Sequence, residues 1–179
     1  METMTEWLEQ AVLDADLSAE EIPKIDLYMD QILTLLEEGL ARNKRQEDEK
    51  LVTKTMVNNY TKEHLIMPVK GKKYNREQVM QLLCILSLKQ TLSLADLKKL
   101  MGAKEGEISF EGAYREALRR KQAAREKFPA LLAQLLEEVD LESPEGKLCA
   151  CLTLSAGATF LRRACEMLID RKEDGKPDA

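Results

Sequence analysis

The sequence predicts an all-α protein. Aromatic side chains make up only 4% of its 179 residues, fewer than a large β-sandwich uses. The frequent residues Leu, Ala, Glu, Lys, Met and Gln favour helix instead. Apolar residues recur at intervals of three and four in most segments, as on one face of a helix. A chain of this length can bury a core as one domain, or as a small head on a helical body.

Two amphipathic helices are predicted in the first 40 residues. The first covers residues 3–15, and Trp7 is expected to anchor it to the body. The second follows a break in the pattern, has Pro23 in its first turn and ends near Gly39. Residues 41–50 contain no large apolar residue. They are interpreted either as a solvated extension of the second helix or, as we favour, as a partly ordered linker.

A third helix and a basic turn are predicted next, within residues 51–74. Thr53 or Thr55 can cap the helix, whose inward face is expected to contain Met56, Val57 and Tyr60. His64 follows at its end, where a left-handed residue is expected. The segment MPVKGKKY is predicted to form a tight hairpin, because Gly71 permits the positive φ that such a turn requires. This hairpin would be a small β-wing.

Two further helices complete residues 51–102. Asn75 is expected to cap the fourth helix. Ser93, with Asp96 three residues later, is expected to cap the fifth, and Gly102 to end it. The predicted inward face of the fourth helix consists of Val79, Leu82, Leu83, Cys84, Ile85 and Leu86.

The remaining residues predict a helical body over 103–171. A helix from Phe110 is divided by Pro129, which removes a hydrogen-bond donor and clashes with the preceding turn. A leucine stripe follows over residues 131–139. Ser143 and Pro144 open a last helix, which is apolar nearly all round from residue 148 to 161. We interpret that helix as either a buried central helix or a dimer seam. Residues 1–50 are expected to pack on the head, and residues 172–179 to be a disordered tail.

Charge is distributed unevenly along the chain. The net charge is −5, but residues 41–76 contain ten Lys and Arg against four Asp and Glu, which leaves −11 on the remainder. An acidic body with one basic patch is typical of a protein that contacts a polyanion at one place. The alternative is a solvated loop with no partner.

Several function classes receive no support from the sequence. No Gly-rich phosphate loop, nucleophile–base pair or Cys/His cluster is present, so we expect neither an enzyme nor a cofactor or metal site. The four cysteines lie in apolar helical patterns, where Cys acts as a small hydrophobe with a free thiol. We find no signal peptide, and no apolar run reaches the ~20 residues of a membrane span. We therefore expect a cytoplasmic protein.

Residues 51–101 contain a recognisable order and spacing of positions, from a short helix that ends in an aromatic, through a Leu-Ile step into a proline, to a capped leucine-rich helix. The positions are Val57, Tyr60, Leu65, Ile66, Pro68, Tyr74, Val79, Leu82, Ile85, Lys89, Ser93, Leu94, Leu97 and Leu100. In these positions residues 51–101 resemble the amino-terminal domain of MerR-type transcription regulators, a winged helix-turn-helix head. Taken whole, the chain resembles a family of bacterial proteins known only as a domain of unknown function, to which such a head is attributed. The resemblance implies a DNA-binding regulator, and a homodimer that reaches two half-sites.

A helix in the major groove would give the polar residues of this stretch specific roles. Asn58 and Asn59 are candidate base readers, since an amide can donate and accept at the adenine edge. Their alternative is that of ordinary exposed polar residues. Five lysines would contact phosphates, namely Lys54 and Lys62 on the helix and Lys70, Lys72 and Lys73 on the wing. The competing interpretation is a protein-interaction module that binds through the leucine stripe or the last helix.

Overall fold

The fold is a set of α-helices with one very short sheet. The computed structural model describes residues 4–69, 71–102 and 107–171. Strands β1 (Leu27–Tyr28) and β2 (Lys73–Tyr74) are antiparallel, with Leu27 opposite Tyr74. The helices of the described residues are α1 (Met4–Ala11), α2 (Met29–Gly39), α3 (Lys54–Lys62), α4 (Arg76–Leu88), α5 (Leu94–Met101), α6 (Phe110–Arg125), α7 (Phe128–Leu135) and α8 (Pro144–Asp170). The all-α prediction is confirmed, whereas the predicted tail lies outside the described residues.

From α3 onward, side-chain caps begin four of the described helices where the sequence predicted them. A cap works because its side-chain oxygen accepts a hydrogen bond from a backbone N–H that has no partner inside the helix. Pro129 lies in the first turn of α7 and separates it from α6, as predicted. The capping residues are Thr53 for α3, Asn75 for α4, Ser93 for α5 and Ser143 for α8.

The core is organised around α4. This helix is buried over most of its circumference, and Met80 and Ile85 are completely enclosed. The buried cluster extends from Leu17 to Tyr114 and takes residues from α2, α3, α5 and α6. The Tyr114 hydroxyl donates a buried hydrogen bond of 3.0 Å to the backbone carbonyl of Leu17. The amino-terminal segment and residues 51–102 therefore share one core.

Two predictions about the amino-terminal helices are wrong. Trp7 is 42% exposed, and the neighbouring Leu8 is the buried residue of α1. Pro23 precedes β1, and α2 begins only at Met29. Its start is fixed by Gln31, whose side-chain oxygen accepts a hydrogen bond of 2.9 Å from the backbone N–H of Tyr28. A cap of this kind sets the first turn more strongly than a proline several residues upstream.

The last helix is not the buried centre of a body. Ala150 is the one residue of α8 that is buried among the described residues, and leucines such as Leu152 are more than half exposed. Cys149, Cys151 and Cys165 are exposed free thiols, not buried hydrophobes. The prediction of a central helix is therefore wrong, and α8 keeps an open apolar face. None of the described helices combines the length and the hydropathy that a bilayer-crossing segment requires.

Candidate nucleic-acid interface

One face of α3 is buried and the other carries the predicted contact residues. Val57 is fully enclosed in the core. Lys54, Asn58 and Lys62 are exposed, and because they are four residues apart they form one stripe along the helix. Asn59 is also exposed, at the flank of this stripe. Four of the seven predicted contact residues therefore lie on the open side of a single helix.

The orientation of α3 is fixed at both ends. Just before its start, the Leu51 carbonyl accepts a 3.1 Å hydrogen bond from Lys89, the residue that follows α4, and burial lowers the pKa of this lysine. At its end, Glu63 pairs with Lys98 of α5, and that hydrogen bond lowers the pKa of the Glu63 carboxyl. His64 then turns the chain with φ 58°, which confirms the left-handed residue predicted there. The exposed stripe is thus held on a rigid support.

Two buried glutamines, which the sequence reasoning missed, hold the segment that leads into the basic turn. Gln78 and Gln81 of α4 are each 3% exposed. The amide nitrogen of Gln78 donates to the carbonyls of Met67 and Pro68, at 3.1 and 3.0 Å. The side-chain oxygen of Gln81 accepts from the Met67 N–H at 2.9 Å. The available signal was the presence of two polar residues within an otherwise apolar helix directly after its cap.

The basic turn differs from the predicted hairpin. Gly71 has φ 76°, so the tight turn itself is present. However, the ladder partner of β2 is β1, and not the residues just before the turn. Lys73 extends over the ring of Tyr28, with Nζ 4.9 Å from the ring centroid, a cation–π contact. Residues 71–73, which we call the lysine turn, are exposed and lie beside β1; Lys70 lies outside the described residues.

Part of the basic patch belongs to the fold. Arg76 pairs with Glu111 at 2.9 Å, and its guanidinium also donates to the carbonyls of Ala19 and Ile22. The hydrogen bonds from Arg76 and Arg115 lower the pKa of Glu111 to about 2. These interactions join residues 19–22 to α4 and α6, so Arg76 is not available to bind another anion.

The lysines of the basic patch differ in whether they form an ion pair. Lys44 does, because its Nζ lies 2.7 Å from a carboxylate oxygen of Glu37. Lys54, Lys62 and Lys72 are exposed and form no ion pair with any residue that the structure describes. An exposed lysine that forms no ion pair can contact a phosphate without breaking an interaction of the fold. These three are accordingly the strongest candidates for an electrostatic contact.

The class of protein that the fold defines is a helical domain with its core around α4 and a two-residue ladder at its edge. A family model described as "Domain of unknown function (DUF1836)" matches residues 17–118, nearly the same extent as the buried core. The chain belongs to this family. No curated protein and no solved structure matches the chain. These comparisons do not support the more specific resemblance to MerR-type regulators.

Proposed function

We propose that this protein is a DNA-binding transcriptional regulator that reads duplex DNA through α3. The observation that carries the proposal is the exposed stripe of Lys54, Asn58 and Lys62 opposite the buried Val57. An α-helix fits the major groove, where an asparagine amide can pair with the N6 and N7 edge of adenine. The lysines would contact the phosphates on either side and set the register without reading sequence.

The lysine turn would supply a second contact to the backbone. Gln78 and Gln81 hold the backbone at Met67 and Pro68, a few residues before it. With this second contact the proposed arrangement is MerR-like, although its strand pairs with β1 and does not form a hairpin of its own. The proposal includes a homodimer, because one short helix in one groove rarely supplies enough affinity. It involves no catalysis, and its setting would be the cytoplasm.

Fluorescence anisotropy with a mixed-sequence duplex at two salt concentrations tests the proposal. We expect binding that weakens as salt rises, since each neutralised phosphate releases counterions. The double variant Lys54→Glu/Lys72→Glu should abolish binding at low salt. Milder changes of the same two lysines to alanine should lower the slope of log K against log salt by about 1.8 for each bound protomer. Asn58→Ala should instead reduce the preference for one sequence over another.

A matched control separates a site from a general charge effect. Lys127→Glu/Lys147→Glu changes the net charge equally, at two exposed lysines, one just before α7 and one in α8. Its affinity should change far less than that of Lys54→Glu/Lys72→Glu. Equal losses in the two double variants, or no duplex binding by the unchanged protein, would overturn the proposal.

The second candidate is a protein-interaction module. It is favoured by Leu131 and Leu135 of α7, which are nearly half exposed although the neighbouring Leu136 is buried. A module of this kind would ignore the duplex at any salt concentration. The same anisotropy measurement therefore distinguishes the two candidates.

A further inference from the structure

One side of α8 is an apolar surface that the described residues leave uncovered. Of the fourteen large hydrophobic residues that are exposed in the described part of the chain, six belong to this helix. Four of these six share one side of it by helical spacing, namely Leu148, Leu152, Phe160 and Met167. Soluble monomers rarely leave a contiguous apolar patch of that kind in water, so such a patch marks an interaction site. Within the described residues α8 contacts α7 and α5, and Lys99 of α5 pairs with Asp170 at its end, but Ala150 is its one buried residue.

The residues along the centre of the open face are separated by the same series of intervals in both directions along the sequence. Its central seam consists of residues separated by 4, 3, 4, 3 and 4 positions, as in the seam of a coiled coil. Such a pattern reads the same from both ends, so two antiparallel copies of α8 can place every seam position of one copy opposite a seam position of the other around a two-fold axis. The seam residues are Glu145, Cys149, Leu152, Ala156, Thr159 and Arg163.

The chemistry of the seam matches in that register. A two-fold axis at position 154 brings Glu145 opposite the partner's Arg163, a pair of opposite charges. It brings Leu152 opposite the partner's Ala156, so a large side chain meets a small one. Neither Glu145 nor Arg163 forms an ion pair within the described part of this chain. A parallel pair would instead place Glu145 against Glu145 and Arg163 against Arg163, which is destabilising.

We propose that a second copy of this chain covers the open face of α8, as an antiparallel, two-fold symmetric helix pair. An isologous contact of this type presents each complementary pair twice, and closes without leaving a free face. It provides an interface for the homodimer, but it does not depend on DNA binding. Its tests contain no nucleic acid, so failure of this proposal and failure of the proposed function are distinguishable.

Light scattering after size exclusion tests the pairing in the full chain. We expect a mass of twice 20.4 kDa. Leu152→Glu should convert the dimer to a monomer, because it places a charge in the centre of the seam. Leu161→Glu is the matched control: it is 57% exposed on the same helix, but it points away from the seam and should leave the dimer intact. A monomer for the unchanged chain, or a dimer lost only in Leu161→Glu, would overturn the proposal.

Charge reversal tests the register. Glu145→Arg or Arg163→Glu alone should weaken dimerisation about tenfold, since each change creates two like-charge contacts across the axis. The combination Glu145→Arg/Arg163→Glu should restore it. If the combination is as weak as either single change, the two residues do not face each other and the register is wrong.

Disulfide trapping tests the direction of the pair. In the antiparallel register Cys149 faces the partner's Thr159. Thr159→Cys should therefore form an intermolecular disulfide in a chain that also carries Cys84→Ala, Cys151→Ser and Cys165→Ser, which remove the other free thiols. A disulfide requires Cα atoms within about 7 Å. Adding Cys149→Ser should remove the cross-link. A cross-link that persists would join position 159 to itself and would show a parallel pair, contrary to the proposal.

Discussion

Replacing Gln78 by leucine should destabilise the protein strongly although it conserves the volume of the side chain. Gln78 makes three hydrogen bonds through its amide: it accepts from the Asn75 N–H at 2.8 Å and donates to the carbonyls of Met67 and Pro68. Each contributes about 0.5–1.5 kcal/mol net, and the change leaves the three part-buried backbone groups without this partner. We expect a loss of about 2–4 kcal/mol in the free energy of unfolding.

Urea denaturation measures this loss directly. With a slope of about 2 kcal/mol per molar urea, the midpoint should fall by roughly 1–2 M. Gln134→Leu is the control, because Gln134 is an exposed glutamine of α7 and should shift the midpoint little. A shift below about 0.5 kcal/mol for Gln78→Leu would refute the reasoning, since surface substitutions already reach that value. It would mean that the turn is not held by this side chain.

Two further predictions concern a left-handed residue and an acid at the junction of three segments. His64→Gly should raise the free energy of unfolding by about 0.5–1 kcal/mol. The left-handed conformation costs a non-glycine residue ~1–2 kcal/mol, and the larger conformational entropy of glycine in the unfolded chain offsets only part of that gain. A lower melting temperature of His64→Gly would contradict this prediction. The pKa of Glu111 is lowered to about 2 from 4.5. Its contribution to stability is therefore complete above pH 4.5 and is lost as the pH falls towards 2. Glu111→Gln should reduce the loss of stability between pH 5 and pH 2 in urea titrations, and an unchanged loss would show that the Arg76 contact is not responsible.

Features that depend on neighbouring residues in the chain could be predicted from the sequence. The caps at Asn75 and Ser93 were predictable because a cap is an interaction over three residues. The turn at His64 and the break before α7 follow from backbone restrictions of single residues. The exposed stripe of α3 followed from helical spacing alone.

Features that join distant segments could not be predicted in this way. The pairing of β1 with β2 connects two-residue strands that lie far apart in the chain, and a two-residue strand has no periodicity to recognise. Apolar content predicted that Trp7 would be an anchor, but the tertiary packing buries Leu8 instead. For α8 the sequence left a buried central helix and a dimer seam as alternatives, because an all-round apolar pattern does not say what covers the helix. The exposure of α8 excludes the first of these.

The basic patch shows why charge counts alone overstate an interface. Arg76 contributes to the local charge as much as Lys54 does, yet its guanidinium is bonded to Glu111 and to two backbone carbonyls. Arg76 could bind a phosphate only if those bonds were broken, and these bonds connect α4 to α6 and to residues 19–22. Lys54 requires no such rearrangement. Charge reversal at Arg76 should therefore lower the free energy of unfolding, whereas charge reversal at Lys54 should weaken DNA binding and leave stability nearly unchanged. Comparing the two variants separates the electrostatics of the fold from those of the proposed site.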